Sequence, residues 1–331
     1  MRKFVNDPKK FVPEFLEGIM LASGGTLKYE PKYNLIYRAD MPKKDRVSII
    51  QGSGSGHEPA HTMIVGPGML DAACPGDVFA GPPVEFVTET SKLMDTPAGV
   101  LYIVNNYTGD RTAWEMAKEM CEAEGQKIGY LLVNDDVAVK DSTWTIGRRG
   151  VAGNFFVIKA VGAASEKGAS LEELVRIGND VIANVRTLGI ALSSCTPPVK
   201  GSFLFDIADD EMEVGIGIHG EPGRQRTKLV SADEIVDIML NAVVPDLPFK
   251  SGDEVALMIN GLGGTPIGEL YVLYRAAHKK LEAQGIKVFR SYVNEYCTSL
   301  EMAGASLTLL KVNEELKGLL LEPAEVSIRV F

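Results

Sequence analysis

Apolar runs of strand length alternate with amphipathic helical stretches along most of this chain, and that alternation restricts the fold more than any other feature. Residues 47–50, 100–104 and 128–133 read as strands, while Ala113, Trp114, Ala117, Met120 and Cys121 recur at helical spacing within 111–124. A helix opens at Asp7-Pro8 and runs to Ala22, with aspartate as its cap and proline in its first turn. A glycine-punctuated helical region, 151–188, leads into a second unit. There the pattern predicts strands at 212–218, 254–260 and 307–312, helices at 232–242 and 266–284, and a proline-rich link at 244–248. The expected fold is α/β in two domains, residues 1–184 and 185–331, each a mixed or largely parallel sheet flanked by helices.

At 331 residues there is ample chain for buried cores. The balance of 34 Lys+Arg against 44 Asp+Glu gives a net charge of −10, which repels phosphate backbones and anionic membrane surfaces, so nucleic acid and membrane are not expected partners. Met1-Arg2-Lys3 leads into polar sequence with no signal-like apolar core, and the expected location is cytoplasmic. Cys74, Cys121, Cys195 and Cys297 lack metal-ligand spacing and read as reduced structural thiols.

Two of the four histidines sit in glycine-flanked loops that follow strand-like runs. His57 belongs to Gly52-Ser53-Gly54-Ser55-Gly56-His57-Glu58-Pro59, and His219 to Gly217-Ile218-His219-Gly220-Glu221-Pro222-Gly223. Glycines on either side leave an imidazole approachable, and an imidazole can act as base, acid or nucleophile near neutral pH. The turn at 52–56 lacks the Gly-Lys-Ser/Thr ending of a Walker loop and the spacing of a dinucleotide fingerprint. It reads as a βα turn that brings backbone to a small ligand at the carboxyl end of a strand.

His57-Glu58-Pro59-Ala60-His61 matches the zinc-protease string, but Pro59 and the glycines before it oppose the helix that the pattern requires. No metal site is expected, and His61 reads as a packed or capping residue. Asn105-Asn106-Tyr107-Thr108-Gly109-Asp110 forms a second βα loop at the same sheet edge. Asp110 is either the cap of the following helix or the group that orients a neighbouring imidazole.

These strings, with Gly68-Met69-Leu70-Asp71-Ala72-Ala73, Gly147-Arg148-Arg149-Gly150-Val151-Ala152-Gly153, Ala191-Leu192-Ser193-Ser194-Cys195-Thr196 and Thr298-Ser299-Leu300-Glu301-Met302-Ala303-Gly304, resemble the dihydroxyacetone kinase substrate-binding (K) subunit family nearly end to end. The resemblance implies that His219 forms a covalent hemiaminal with the ketone of dihydroxyacetone. It further implies that His57 and Asp110 assist the hydroxyl that receives phosphate, and that Gly54, Ser55, Gly56 and Asn105 contribute to substrate binding. A tiny polar ketose gains little binding energy from contact alone, and a covalent bond fixes its orientation.

No nucleotide loop is evident in the sequence, and the helical L-type domain is not expected within this chain, whose K-like part runs to its end at Phe331. The resemblance therefore implies ADP or ATP with magnesium on a separate L subunit, a phosphotransferase-system phosphodonor behind it, and a K-subunit homodimer. Three departures stand out: Asn105 occupies a position that is lysine in the family pattern, Gln51-Gly52-Ser53 replaces consecutive glycines, and the tail 323–327 lacks the common ending. Loss of a lysine removes a cation from the ketose or phosphate, which leaves two other readings open: a ketose-sensing coactivator, or a kinase subunit for another short ketose such as erythrulose.

Overall fold

The computed structural model describes residues 3–139, 147–328 and 330, so Met1, Arg2 and Phe331 lie outside it. Six strands build a first sheet: β1 (Leu27–Glu30), β2 (Leu35–Arg38), β3 (Ser48–Gln51), β4 (Ala72–Ala73), β5 (Val100–Asn105) and β6 (Ile128–Val133), in the order β1-β2-β4-β3-β5-β6. Six more build a second: β7 (Val185–Ala191), β8 (Glu211–Val214), β9 (Gln225–Lys228), β10 (Glu254–Gly261), β11 (Lys287–Asn294) and β12 (Gly304–Lys311), in the order β11-β10-β12-β7-β8-β9. The helices are α1 (Phe11–Ala22), α2 (Val84–Met94), α3 (Thr108–Ala123), α4 (Asn154–Glu166), α5 (Leu171–Asn184), α6 (Ala232–Asp246), α7 (Ile267–Ala283) and α8 (Glu314–Leu321).

Both sheets are mixed, as the alternation implies, but they differ. In the first, β4-β3-β5-β6 is parallel throughout and only the β1 and β2 pairings are antiparallel. In the second, only β10-β11 is parallel. The difference lies in the connections. A parallel pair needs a long crossover, which α7 supplies between β10 and β11, whereas β7, β8 and β9 are joined by loops alone.

Local chemistry accounts for where elements begin and end. Asp7 caps a short 3-10 turn by accepting a hydrogen bond from the Lys9 amide at 3.0 Å, and α1 follows. The helical region at 151–188 is two helices separated at Gly168 (φ +81°), and 185–188 are strand, because Val-Arg-Thr-Leu pairs with β12. Pro245 lies inside the last turn of α6, so the proline-rich stretch ends a helix instead of forming a separate link. Only 212–214 of the stretch at 212–218 are strand, at the end of β8; Gly215 (φ +84°) turns the chain out of the sheet and frees the segment that carries His219.

Helix α4 lies between the two sheets, with every residue from Asn154 to Ser165 buried. It packs on β3, and its Phe155 and Phe156 rings meet Tyr292 of β11 at 5.8 and 5.2 Å between centroids. Removing one such ring would cost about 3–5 kcal/mol through lost transfer energy and the cavity left behind. Asp71 is structural: its Oδ1 accepts from Arg38 and Arg46, each at 2.9 Å, and its Oδ2 from the Ile49 amide at 2.8 Å. The four cysteines are free and buried. Among the described residues, no helix is long and apolar enough to cross a membrane.

Candidate active site

His57, Asp110 and His219 come from three loops and converge on one cleft of about 890 Å³, with His57 beneath its floor. The loop after β3 carries His57, the start of α3 carries Asp110, and the excursion after β8 carries His219. The first two lie at the carboxyl ends of parallel strands, where such sheets place their sites.

His57 is sealed from solvent. Its Nδ1 lies 2.8 Å from the Thr298 carbonyl oxygen, which can only accept, so Nδ1 carries the hydrogen and Nε2 keeps a lone pair. That Nε2 is buried with no hydrogen-bond partner. Burial first, then the neighbouring His219, holds the His57 pKa well below its ordinary value, so the ring is neutral at pH 7. Backbone bonds from Thr298 N to His57 O and from Leu300 N to Gly56 O tie this loop to the one preceding β12.

His219 meets His57 edge to face, with 4.7 Å between ring centroids, and Tyr107 packs on its other side at 4.5 Å. Phe79 stacks on His57 at 5.3 Å and closes the wall. His219 Nδ1 lies 3.0 Å from Glu221 Oε1, and its backbone N–H donates to Glu221 Oε2, also at 3.0 Å. Gly220 between them adopts φ +76°, which reverses the chain and tucks the carboxylate behind the ring. Burial would raise the Glu221 carboxyl, but His219 and Arg149 together hold it down, to about 2. With Nδ1 committed to a carboxylate, Nε2 is the nitrogen left for a substrate carbonyl. Arg149 fixes the root of this loop, donating to Asp136 at 2.6 Å and to the Gly215 carbonyl at 2.7 Å.

Asp110 is not the helix cap. It occupies the first turn of α3, the cap position is Tyr107, and the carboxylate accepts from the Ser53 hydroxyl at 2.7 Å. Burial pushes Asp110 up to about 6, against the opposing pull of Ser53 and His219.

Of the other residues singled out in the sequence, Gly54 has its backbone so close to Phe79 and Ala80 that a Cβ would lie 2.8 Å from Phe79 Cα. Ser55 donates its hydroxyl to the Gly76 carbonyl, and the Gly56 N–H is taken by the Glu58 carboxylate at 3.0 Å. Asn105 is fully buried at the end of β5, accepts a 3.4 Å contact from Asn154 of α4 and, like His57, is not part of the open cleft wall. Residues 57–61 form no helix, so the zinc-protease geometry is not made, and His61 is packed without capping through its side chain. Among the described residues, Lys200 is the one lysine or arginine on the cleft wall.

A model of the Dak1 domain family matches residues 17–328. The chain belongs to the Dak1 family. The dihydroxyacetone-binding subunit DhaK of PTS-dependent dihydroxyacetone kinase 1 from Listeria innocua is 44% identical to this family member over 315 residues, 95% of each chain. Among solved structures, the dihydroxyacetone kinase operon co-activator DhaQ superposes with a TM-score of 0.90 at 32% identity, covering 94% of this chain and 96% of its own. The dihydroxyacetone kinase of C. freundii superposes with a TM-score of 0.89 at 33% identity, and there the match takes in 99% of this chain but 60% of the kinase.

Glu221, Ser53, Tyr107 and Thr298 join the site without having been singled out for it in the sequence. Glu221 had a usable signal, since a His-Gly-Glu triplet allows a carboxylate to fold back on its own histidine. Thr298 had none, because it acts through a backbone carbonyl.

Proposed function

We propose that this chain is the dihydroxyacetone-binding subunit of a dihydroxyacetone kinase and that it holds the ketose as a hemiaminal on His219. The observation that carries the reading is the pair of unlike imidazoles 4.7 Å apart: one backed by a carboxylate, the other buried and neutral. His219 Nε2 donates its lone pair to the carbonyl carbon, the carbon–oxygen π pair moves to oxygen, and that oxygen takes a proton from water, whose hydroxide is reprotonated by the proton that Nδ1 loses by way of Glu221. The positive charge gained by the ring lies against Glu221, which can accept the Nδ1 proton. His57 Nε2 or the Asp110 carboxylate then takes the proton of the terminal hydroxyl as it attacks phosphorus. Nucleotide and magnesium come with a separate L-type subunit, and a phosphotransferase-system protein recharges it. The protein would work in the cytoplasm as a homodimer.

The test combines intact mass with turnover. Dihydroxyacetone should add its mass to the wild-type protein, and a cognate L subunit with its donor should yield dihydroxyacetone phosphate. An adduct without turnover favours the coactivator reading, which the likeness to DhaQ supports. Faster turnover of erythrulose in a panel of ketoses would reassign the substrate. No adduct on His219 overturns the reading.

A further inference from the structure

One face of α3 holds the loop that follows β3 at two adjacent points. Trp114 Nε1 donates to the Gly52 carbonyl at 2.9 Å, and one turn earlier Asp110 Oδ2 accepts from the Ser53 hydroxyl at 2.7 Å. The loop is tied on its other side as well, where the Gly76 N–H donates to the Ser53 carbonyl at 3.0 Å. Ser53 is fully buried, so this hydroxyl faces no water that could replace it. Asp110 Oδ1 lies on the other side of the carboxylate, beside Gly81 on the cleft wall, where a Cβ would come within 2.5 Å of it.

We infer that Ser53 is a positioning residue for Asp110: its hydroxyl pins Oδ2 so that Oδ1 faces the cleft as an ionised proton acceptor. The inference rests on the kinase reading for its catalytic consequence, but the hydrogen bond and its effect on Asp110 exist without it. A hydroxyl donating to a carboxylate favours the charged form, and a carboxylate fixed at one oxygen has lost the rotation that would turn the other away. The direction for Asp110 agrees, since the Ser53 bond opposes the upward push of burial.

The other groups facing Asp110 are His219 and Glu221 across the cleft, Tyr107 before α3, Tyr130 on β6, Arg111 on α3 and Lys200 on the rim. Ser53→Ala removes none of them. The variant should raise the titration midpoint of Asp110 by about one pH unit, the usual worth of a hydrogen bond to a charged group. It should move the acid limb of phosphotransfer by the same amount and leave ketose affinity within about twofold, because the hydroxyl does not line the cleft.

Carbon-13 NMR of aspartate-labelled protein, with Asp110→Asn to assign the signal, reads the midpoint directly. Ser53→Gly provides the same reading if the alanine variant misfolds. A midpoint that coincides in wild type and variant overturns the inference, as does a shifted midpoint with an unmoved acid limb. A wild-type protein that transfers no phosphate would sink the kinase reading alone, and the NMR titration would still decide the role of Ser53.

Discussion

The two halves of the site use the same residue type in opposite ways. On the first sheet, His57 is locked by a backbone carbonyl and stacked on Phe79, with no carboxylate hydrogen-bonded to its ring among the described residues. On the second, His219 is partly open to the cleft and backed by an ionised glutamate two residues away. Burial without a counter-charge makes a ring that stays neutral and holds a lone pair; a carboxylate partner makes a ring that can bear positive charge. On the proposed reading, environment and not residue identity divides base from nucleophile.

The sharpest way to break this comparison is to remove the proposed nucleophile. His219→Ala should abolish the ketose adduct and lower phosphotransfer by about 10³-fold or more, since orientation of the bound ketose goes with it. An adduct that persists by intact mass would show that another group captures the ketone. His57→Ala should keep the adduct and lose about 10²-fold in transfer rate, the worth of a positioned base. If adduct and turnover fall together, the two rings do not divide the work.

Glu221→Gln keeps the shape behind His219 but not the charge. Transfer and adduct formation should both fall about 10- to 50-fold, as expected for loss of a charge-assisted hydrogen bond. A variant equal to wild type would leave the glutamate a role in the loop alone.

The pH profile sharpens the comparison further. Asp110 titrates at about 6, while His57 stays neutral through that range. Transfer should therefore fall about tenfold between pH 7 and pH 5 as Asp110 gains its proton. Asp110→Asn should erase this limb at a lower plateau, and an unchanged limb would assign it elsewhere. The smallest effect belongs to Asn105→Lys, which should change transfer by no more than about threefold, since position 105 is fully buried with its carbonyl oxygen facing Asn154 of α4. A larger gain in kcat would show that a lysine there reaches the ketose or the phosphate.

Much of this was legible in the chain because local signals and tertiary demands coincide in the first sheet. Strands β3, β5 and β6 are apolar runs, and the segments that follow β3 and β5 carry His57 and Asp110. The second sheet was harder. Strand β9 reads Gln-Arg-Thr-Lys, polar enough to hide as a loop, and β11 is a half-exposed edge strand, whereas β8 was legible as the start of the expected strand at 212–218. The antiparallel order of β8 and β9 follows from connections without helices, which hydrophobic periodicity does not report. Ser53 and Asp110 are 57 residues apart, a pairing that only the packing of α3 on the loop after β3 creates.

Burial of α4 along its whole length has a mechanical consequence. A helix wedged between two sheets, packed on β3 of one and with its aromatic rings seated against β11 of the other, removes the hinge a clamshell would need. The jaws of this cleft are bolted together. A phosphoryl donor thus meets a mould already cast, and any sealing of the reaction from water falls to the incoming partner and the rim around Val199 and Phe203, whose side chains stand in solvent.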